Sequence, residues 1–216
     1  HTRLRTVTGV QTCALPISSG DAASVALESR LPAEGLSYEF QATDFVQING
    51  AVNQALIART IELLELQPTH RVLDLFCGLG NFTLPIARRV ALVVGIEGEA
   101  GLVARARHNA TLNDLTNAHF HVANLAQADG GAAVLAGRFD RVLLDPPRAG
   151  AIEVLPQLAA LGAQRMVYVS CHPGTLARDL AVLCHEHGYE LAAAGVIDMF
   201  PHTNHVESIA VLEASR

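Results

Sequence analysis

The sequence predicts an α/β domain in which a mostly parallel, seven-stranded sheet ends in an antiparallel hairpin. Three observations carry this. Short apolar runs alternate with stretches of helical period from residue 71 onward, the pattern of strands joined by crossover helices. The runs RVLDLF, ALVVGI and RVLL are continuously apolar, as strands covered on both faces are. Finally, Glu190–Ile197 and Val206–Leu212 both read as strands with only about eight residues between them. A parallel crossover needs about a dozen or more, so these two must pair antiparallel.

The elements follow in order. Ala51–Leu66 places Val52, Leu56, Ile57, Ile61 and Leu64 on one helical face and is ended by Pro68. Arg71–Phe76 is a buried strand, followed by a glycine-containing turn and a helix from Phe82 to about Arg89. Ala91–Ile96 is the next strand and Glu99–Leu112 the next helix. Shorter strands are expected at His119–Val122, Arg141–Leu144 and Met166–Ser170, then a helix over Thr175–Glu186. Regular patterning begins at about Leu36. Residues 1–18 are expected to be a non-native leader, because VTGVQTCALPIS resembles translated sequencing-adapter sequence and is too polar for a secretory signal. Residues 19–35 are expected to be the remnant of an upstream region, and 36–216 the folded domain.

Composition narrows the function. Of the 216 residues half are hydrophobic and 17% charged, which excludes a disordered chain, and no apolar run reaches the ~18 residues of a membrane span. The net charge of −6 by itself argues against a nucleic-acid partner. Cys13, Cys77, Cys171 and Cys184 lack paired spacing, so a reducing cytoplasm is expected. No metal site is expected either. There is no CxxC pair, and Cys184 lies in a helix far from Cys171 among the scattered His185, His187, His202 and His205.

The chemistry-bearing residues sit at strand ends, where open α/β sheets bind ligands. Gly78 and Gly80 let backbone approach a ligand after the first long strand. A dinucleotide fingerprint would require glycine where Thr83 stands, which favours a smaller adenosyl ligand over a pyrophosphate. A tight turn without a ligand is the competing reading. Glu97, 17 residues beyond Gly80 at the end of the next strand, is placed to accept both hydroxyls of a ribose. Asn124, after the third strand, could face an adenine. Asp145 is held at another strand end by Pro146 and Pro147. Cys171 reaches the equivalent edge one strand on. A phosphatase loop would need arginine six positions later, where Ala177 stands. Cys77 and Cys184 read as packing residues. The cluster Asp198–His205 leads into Glu207, a candidate general base.

The strings DLFCGLGNFTL, VVGIEG, LLDPPRAG, YVSCHPGTLARD and DMFPHTNHVES resemble the RNA 5-methyluridine methyltransferases, within them the branch acting on 23S rRNA. The similarity covers about Leu36–Leu212 and implies a class I (Rossmann-like) methyltransferase fold with S-adenosyl-L-methionine as cofactor. Its contacts carry over to Gln47 (in FVQIN), Phe76, Asn81, Glu97, Asn124 and Asp145. Cys171 matches the family nucleophile and Glu207 the family base, so the implied activity is methyl transfer to uracil C5 through a covalent adduct. The family carries an N-terminal RNA-binding barrel and, in this branch, cysteines for an iron–sulfur cluster. This sequence has neither, so no cluster and a weakened grip on 23S rRNA are expected, in a monomer. His172 stands where the family commonly has Asn, and Pro147 where the branch commonly has Ala. A tRNA uracil-C5 enzyme, an inactive cofactor-binding fragment and a nicotinamide dehydrogenase are the competing readings, the last disfavoured by Thr83 and the terminal hairpin.

Overall fold

The computed structural model describes residues 27–44, 46, 49–127, 137–198 and 206–215. Its centre is a seven-stranded sheet built from β3 (Arg71–Leu75), β4 (Leu92–Glu97), β5 (Ala118–Val122), β6 (Arg141–Leu144), β7 (Arg165–Ser170), β8 (Tyr189–Ile197) and β9 (Glu207–Ala214). Their spatial order is β5-β4-β3-β6-β7-β9-β8. Pairing is parallel from β5 through β7, and β9 is antiparallel to both β7 and β8. The expected sheet and terminal hairpin are therefore present.

Residues alternate between the two faces with period two. Val72, Leu143, Val167 and Val211 enter one core cluster, whereas Leu73, Val142, Met166, Tyr168 and Leu212 enter the other. Gly95 marks a point where even a methyl group has no room. A Cβ there would lie 2.8 Å from Cys77 Sγ and 2.8 Å from the Phe120 ring. Gly95→Ala is expected to destabilise the fold by about 1–3 kcal/mol through overpacking, read as a lowered midpoint in urea unfolding.

The helices are α1 (Gly50–Leu64), α2 (Thr83–Ala87), α3 (Ala100–Leu112), α4 (Leu155–Ala160) and α5 (Pro173–Glu186). The Asn49 side chain accepts from the Val52 N–H and caps α1. At its other end Arg141 Nε donates to Leu64 O at 2.8 Å and Arg165 Nη1 to Leu63 O at 2.9 Å, satisfying carbonyls that the helix leaves free. No helix among the described residues is long and apolar enough to cross a membrane.

Regular structure starts earlier than the sequence pattern suggests. β1 (Leu27–Leu31) and β2 (Leu36–Phe40) form an antiparallel ribbon. Four of the five β1 residues are exposed, so no apolar alternation announces the strand. β2 is fixed by α3: Asn113 exchanges hydrogen bonds with the Ser37 backbone at 2.9 and 2.7 Å, and Asn109 with that of Glu39 at 2.9 and 3.2 Å. One asparagine of α3 and the one that follows its last residue thus serve in place of a neighbouring strand. The six residues of α4 are also new; they are too few to show a helical period.

Candidate functional site

The chain leaves β3 for β4 and β5 on one side, then crosses to β6 on the other. That reversal opens a crevice at the carboxyl ends of β3 and β6. Each candidate residue can be traced to a strand that ends there.

At the end of β3 the backbone turns through Phe76 (φ +62), Gly78 (φ +54) and Gly80 (φ +96). The left-handed conformation suits glycine, and Phe76 adopts it only because its surroundings hold it. The Cys77 N–H donates to Ile96 O at 3.1 Å, and the Gly78 N–H to Glu97 Oε2 at 3.1 Å. Glu97 Oε1 accepts from the Glu99 N–H at 3.1 Å, so the carboxylate is oriented beside the turn. Chain neighbours aside, no atom of the described residues lies within 4 Å of where a Cβ on Gly78 would stand, which leaves space over the backbone. Behind the turn the Asn81 and Asn53 amides donate to each other at 3.1 and 2.9 Å, and Tyr38 donates to Asn81 O at 3.4 Å. Asn81, predicted as a cofactor contact, is thus also the link between the turn and α1.

Two carboxyls lie beneath and beside this turn. Asp74 is fully buried. Its Oδ2 accepts from Thr83 Oγ1 at 2.5 Å, while Oδ1 has no hydrogen-bond partner among the described residues. Burial pushes its pKa up to about 7, against the lowering effect of the Thr83 bond, and Glu97 adds to the rise. Thr83 therefore has work beyond filling a glycine position. Asp145 follows β6, and its N–H donates to Leu75 O at 3.3 Å. Burial, then the charges of Glu207 and Asp74, push it up to about 8.

The antiparallel pair β7–β9 brings the last two candidates together. Ser170 pairs with Ser208, so the next step outward sets Cys171 opposite Glu207. Cys171 is partly buried and Glu207 buried. Burial and then Glu207 raise the Cys171 thiol pKa; Arg148 lowers it and Asp145 raises it. Burial raises Glu207. The Cys171 loop is fastened by Ser170 Oγ, which donates to His172 O at 3.2 Å and accepts from the His172 N–H at 3.1 Å. His172 itself caps α5, its Nδ1 accepting from the Thr175 N–H at 3.2 Å. An asparagine can do the same. His172→Asn is expected to leave stability within about 0.5 kcal/mol of the wild type and His172→Ala to lose about 1 kcal/mol, measured by thermal unfolding.

Cys77 is buried, its thiol raised well above the usual range by burial, then by Asp74 and Glu97. Cys184 packs against the second core cluster. Cys77 turns its thiol from the crevice turn into the core beside Gly95, and both cysteines agree with their reading as packing residues. Asn124 is exposed just past β5, its Oδ1 accepting from the Ala126 N–H at 3.1 Å. Gln47, Cys13, His202 and His205 lie outside the described residues. Asp74, Arg148 and Asn53 were missed as site residues. Asp74 opens the DLFCGLGNFTL string and Arg148 stands inside LLDPPRAG, whereas Asn53 carries no comparable mark.

Comparison with known proteins gives the site a context. Residues 24–215 match the sequence model of the tRNA (Uracil-5-)-methyltransferase family. A 23S rRNA (uracil(1939)-C(5))-methyltransferase of Xanthomonas axonopodis pv. citri is 57% identical over 189 residues, 88% of this chain and 43% of that protein. The enzyme of the same description from Alkalilimnicola ehrlichii is 56% identical over 187 residues, 87% and 42%. The chain therefore spans less than half the length of these curated relatives. Among solved structures, the Pyrococcus abyssi tRNA (uracil-54, C5)-methyltransferase in complex with S-adenosyl-L-homocysteine superposes with a TM-score of 0.74 at 32% identity, over 87% of this chain and 44% of that one. Trm5b of Pyrococcus abyssi, at 16% identity over 92% of this chain and 58% of that one with a TM-score of 0.70, shares the fold alone. With a match that takes in both the ribbon and the whole sheet, this chain belongs to the tRNA (uracil-5-)-methyltransferase family.

Proposed function

We propose that this chain is the catalytic part of a methyltransferase that transfers a methyl group from S-adenosyl-L-methionine to C5 of a uridine in 23S rRNA through a Cys171–C6 adduct. The observation that carries the reading is the β7–β9 register, which sets Cys171 and Glu207 face to face at the crevice that also holds the glycine turn and Glu97. The 57% identity to 23S rRNA enzymes supports that substrate over tRNA. A cytoplasmic monomer is part of this proposal.

The residues suit the cofactor. Glu97 offers carboxylate oxygens to two ribose hydroxyls, Gly78 leaves space over the turn, and Asp74 and Asp145 supply negative charge where a sulfonium would sit. Gln47, Phe76, Asn81 and Asn124 complete the proposed contacts. When bound, S-adenosylmethionine supplies an electrophilic methyl group. C5 of uracil is too weak a nucleophile to take it unaided. Cys171, deprotonated, adds to C6 and drives the electron pair to C5, which then accepts the methyl. Glu207 removes the C5 proton, the C5–C6 double bond re-forms, and the Cys171 thiolate leaves. The uracil must be out of its stack to reach both groups.

The cofactor half is tested by calorimetry with S-adenosylmethionine. The chain should bind it, and Glu97→Ala should weaken binding on the order of 10- to 100-fold by losing two charge-assisted hydrogen bonds. An unchanged affinity in Glu97→Ala overturns the placement. Methylation of 23S rRNA fragments against tRNA transcripts separates the two substrates.

A further inference from the structure

The loop carrying Asp145 and Arg148 is tied to the helix behind Cys171 by groups that the proposed reaction does not use. Asp179 on α5 is fully buried. Its Oδ2 accepts from the Ala151 N–H at 2.7 Å and from Tyr168 Oη at 2.6 Å. Its Oδ1 accepts from Arg178 Nε at 2.8 Å and lies 2.6 Å from Arg178 Nη2. The same Nη2 donates to Ala149 O at 2.9 Å, and Thr175 Oγ1 donates to Arg148 O at 3.1 Å. Between these tethers sits Gly150 (φ +86), where a Cβ would lie 2.5 Å from Arg178 Nη2 and 2.6 Å from Asp179 Oδ2. Helix and loop therefore meet at a distance only glycine allows. Three backbone groups from Arg148 to Ala151 are gripped by one helical turn and a half of α5, whose first residue lies two positions after Cys171.

From this geometry we infer that Arg178 and Asp179, with Thr175, are positioning residues that hold the Arg148 segment beside Cys171. Resting on the proposed role of Cys171, this assigns the clamp a catalytic purpose besides packing. The two anchors of the site respond differently when it is broken. Asp145 stays pinned by its own bond to Leu75 O, and Glu207 by its pairing in β9. Among the described residues Arg148 has no such second anchor, and it is also the charge that favours the Cys171 thiolate, against Glu207 and Asp145. Releasing the clamp thus removes the favourable charge and leaves both unfavourable ones.

The test is the pH profile of Cys171 alkylation by iodoacetamide in the whole chain, followed by mass spectrometry of the Cys171 peptide. Arg178→Ala and Thr175→Val should move the profile to higher pH and slow alkylation about threefold near neutral pH. Arg178→Lys, which keeps an ion pair with Asp179 but not the planar fork, should fall between them and the wild type. Thr175→Val guards against a folding defect in Arg178→Ala: it removes the hydroxyl that bonds Arg148 O and His172 O, both at 3.1 Å, and leaves the buried Asp179 with all its partners. Lowered thermal stability with an unmoved alkylation profile in both variants overturns the inference and leaves a purely structural clamp. Alkylation needs neither cofactor nor RNA, so a chain that fails to bind S-adenosylmethionine sinks the proposed function without touching this result.

Discussion

Replacing Cys171 by serine is expected to abolish covalent capture of the substrate and to lower methyl transfer by at least about 10³-fold, the scale of losing a covalent nucleophile. Serine keeps the shape but is a far poorer nucleophile at neutral pH, and among the described residues neither other thiol can substitute. Cys77 is buried with its thiol raised well above the usual range, and Cys184 is on α5. The assay offers RNA containing 5-fluorouridine together with S-adenosylmethionine to the domain fused behind the RNA-binding barrel of a family member. Fluorine at C5 cannot be removed as a proton can, so the adduct persists through denaturing electrophoresis. The wild type and Cys77→Ser should form it and Cys171→Ser should not. Equal adduct in Cys171→Ser would move the nucleophile elsewhere. Glu207→Gln should instead accumulate adduct on ordinary uridine, because addition and methylation proceed while proton removal stalls. Rapid turnover by that variant would remove Glu207 from the role of base.

The parts of this site that could be read in the sequence are those that chemistry forces onto strand ends. Gly78, Gly80, Glu97, Asp145 and Cys171 each follow an apolar run, so a parallel sheet alone brings them to one edge. Glu207 was legible for a different reason: the short connection before it requires an antiparallel return, which carries a strand start to the edge where parallel strands finish. The rest depends on contacts distant in sequence. Asn109 and Asn113 hold β2 from residues about seventy positions away, and nothing in their spacing advertises it. The clamp at Asp179 is similar. In the sequence Asp179 reads as one position of a helix and the last residue of YVSCHPGTLARD, and its purpose appears once Gly150 and Tyr168 are set against it. Thr83 was informative for what it excluded, whereas its bond to the buried Asp74 could not be seen without the fold.

Affinity for S-adenosylmethionine is expected to rise with pH between about pH 6 and about pH 9, and the stability of the cofactor-free protein to fall between about pH 4 and about pH 8. Both follow from two carboxyls, Asp74 pushed up to about 7 and Asp145 to about 8, with burial the largest cause for each. In the unfolded chain such groups titrate near pH 4. Between about 4 and 8 the folded protein therefore retains protons that the unfolded chain has released, and stability declines as pH rises. The contribution is complete below the unfolded pKa and gone above the folded one. A cation in the crevice reverses the sense, because it favours the charged carboxylates that burial disfavours. Binding of the sulfonium must then release protons below about pH 8, and affinity gains up to about tenfold per pH unit for each proton released. S-adenosylhomocysteine carries no sulfonium charge and should show a much flatter profile. Asp145→Asn should remove the upper step and leave the one near 7 that belongs to Asp74. The measurement is calorimetry with both ligands across the window, in buffers of different ionisation enthalpy so that proton release is counted directly. Parallel profiles for the two ligands would place the sulfonium away from these carboxyls.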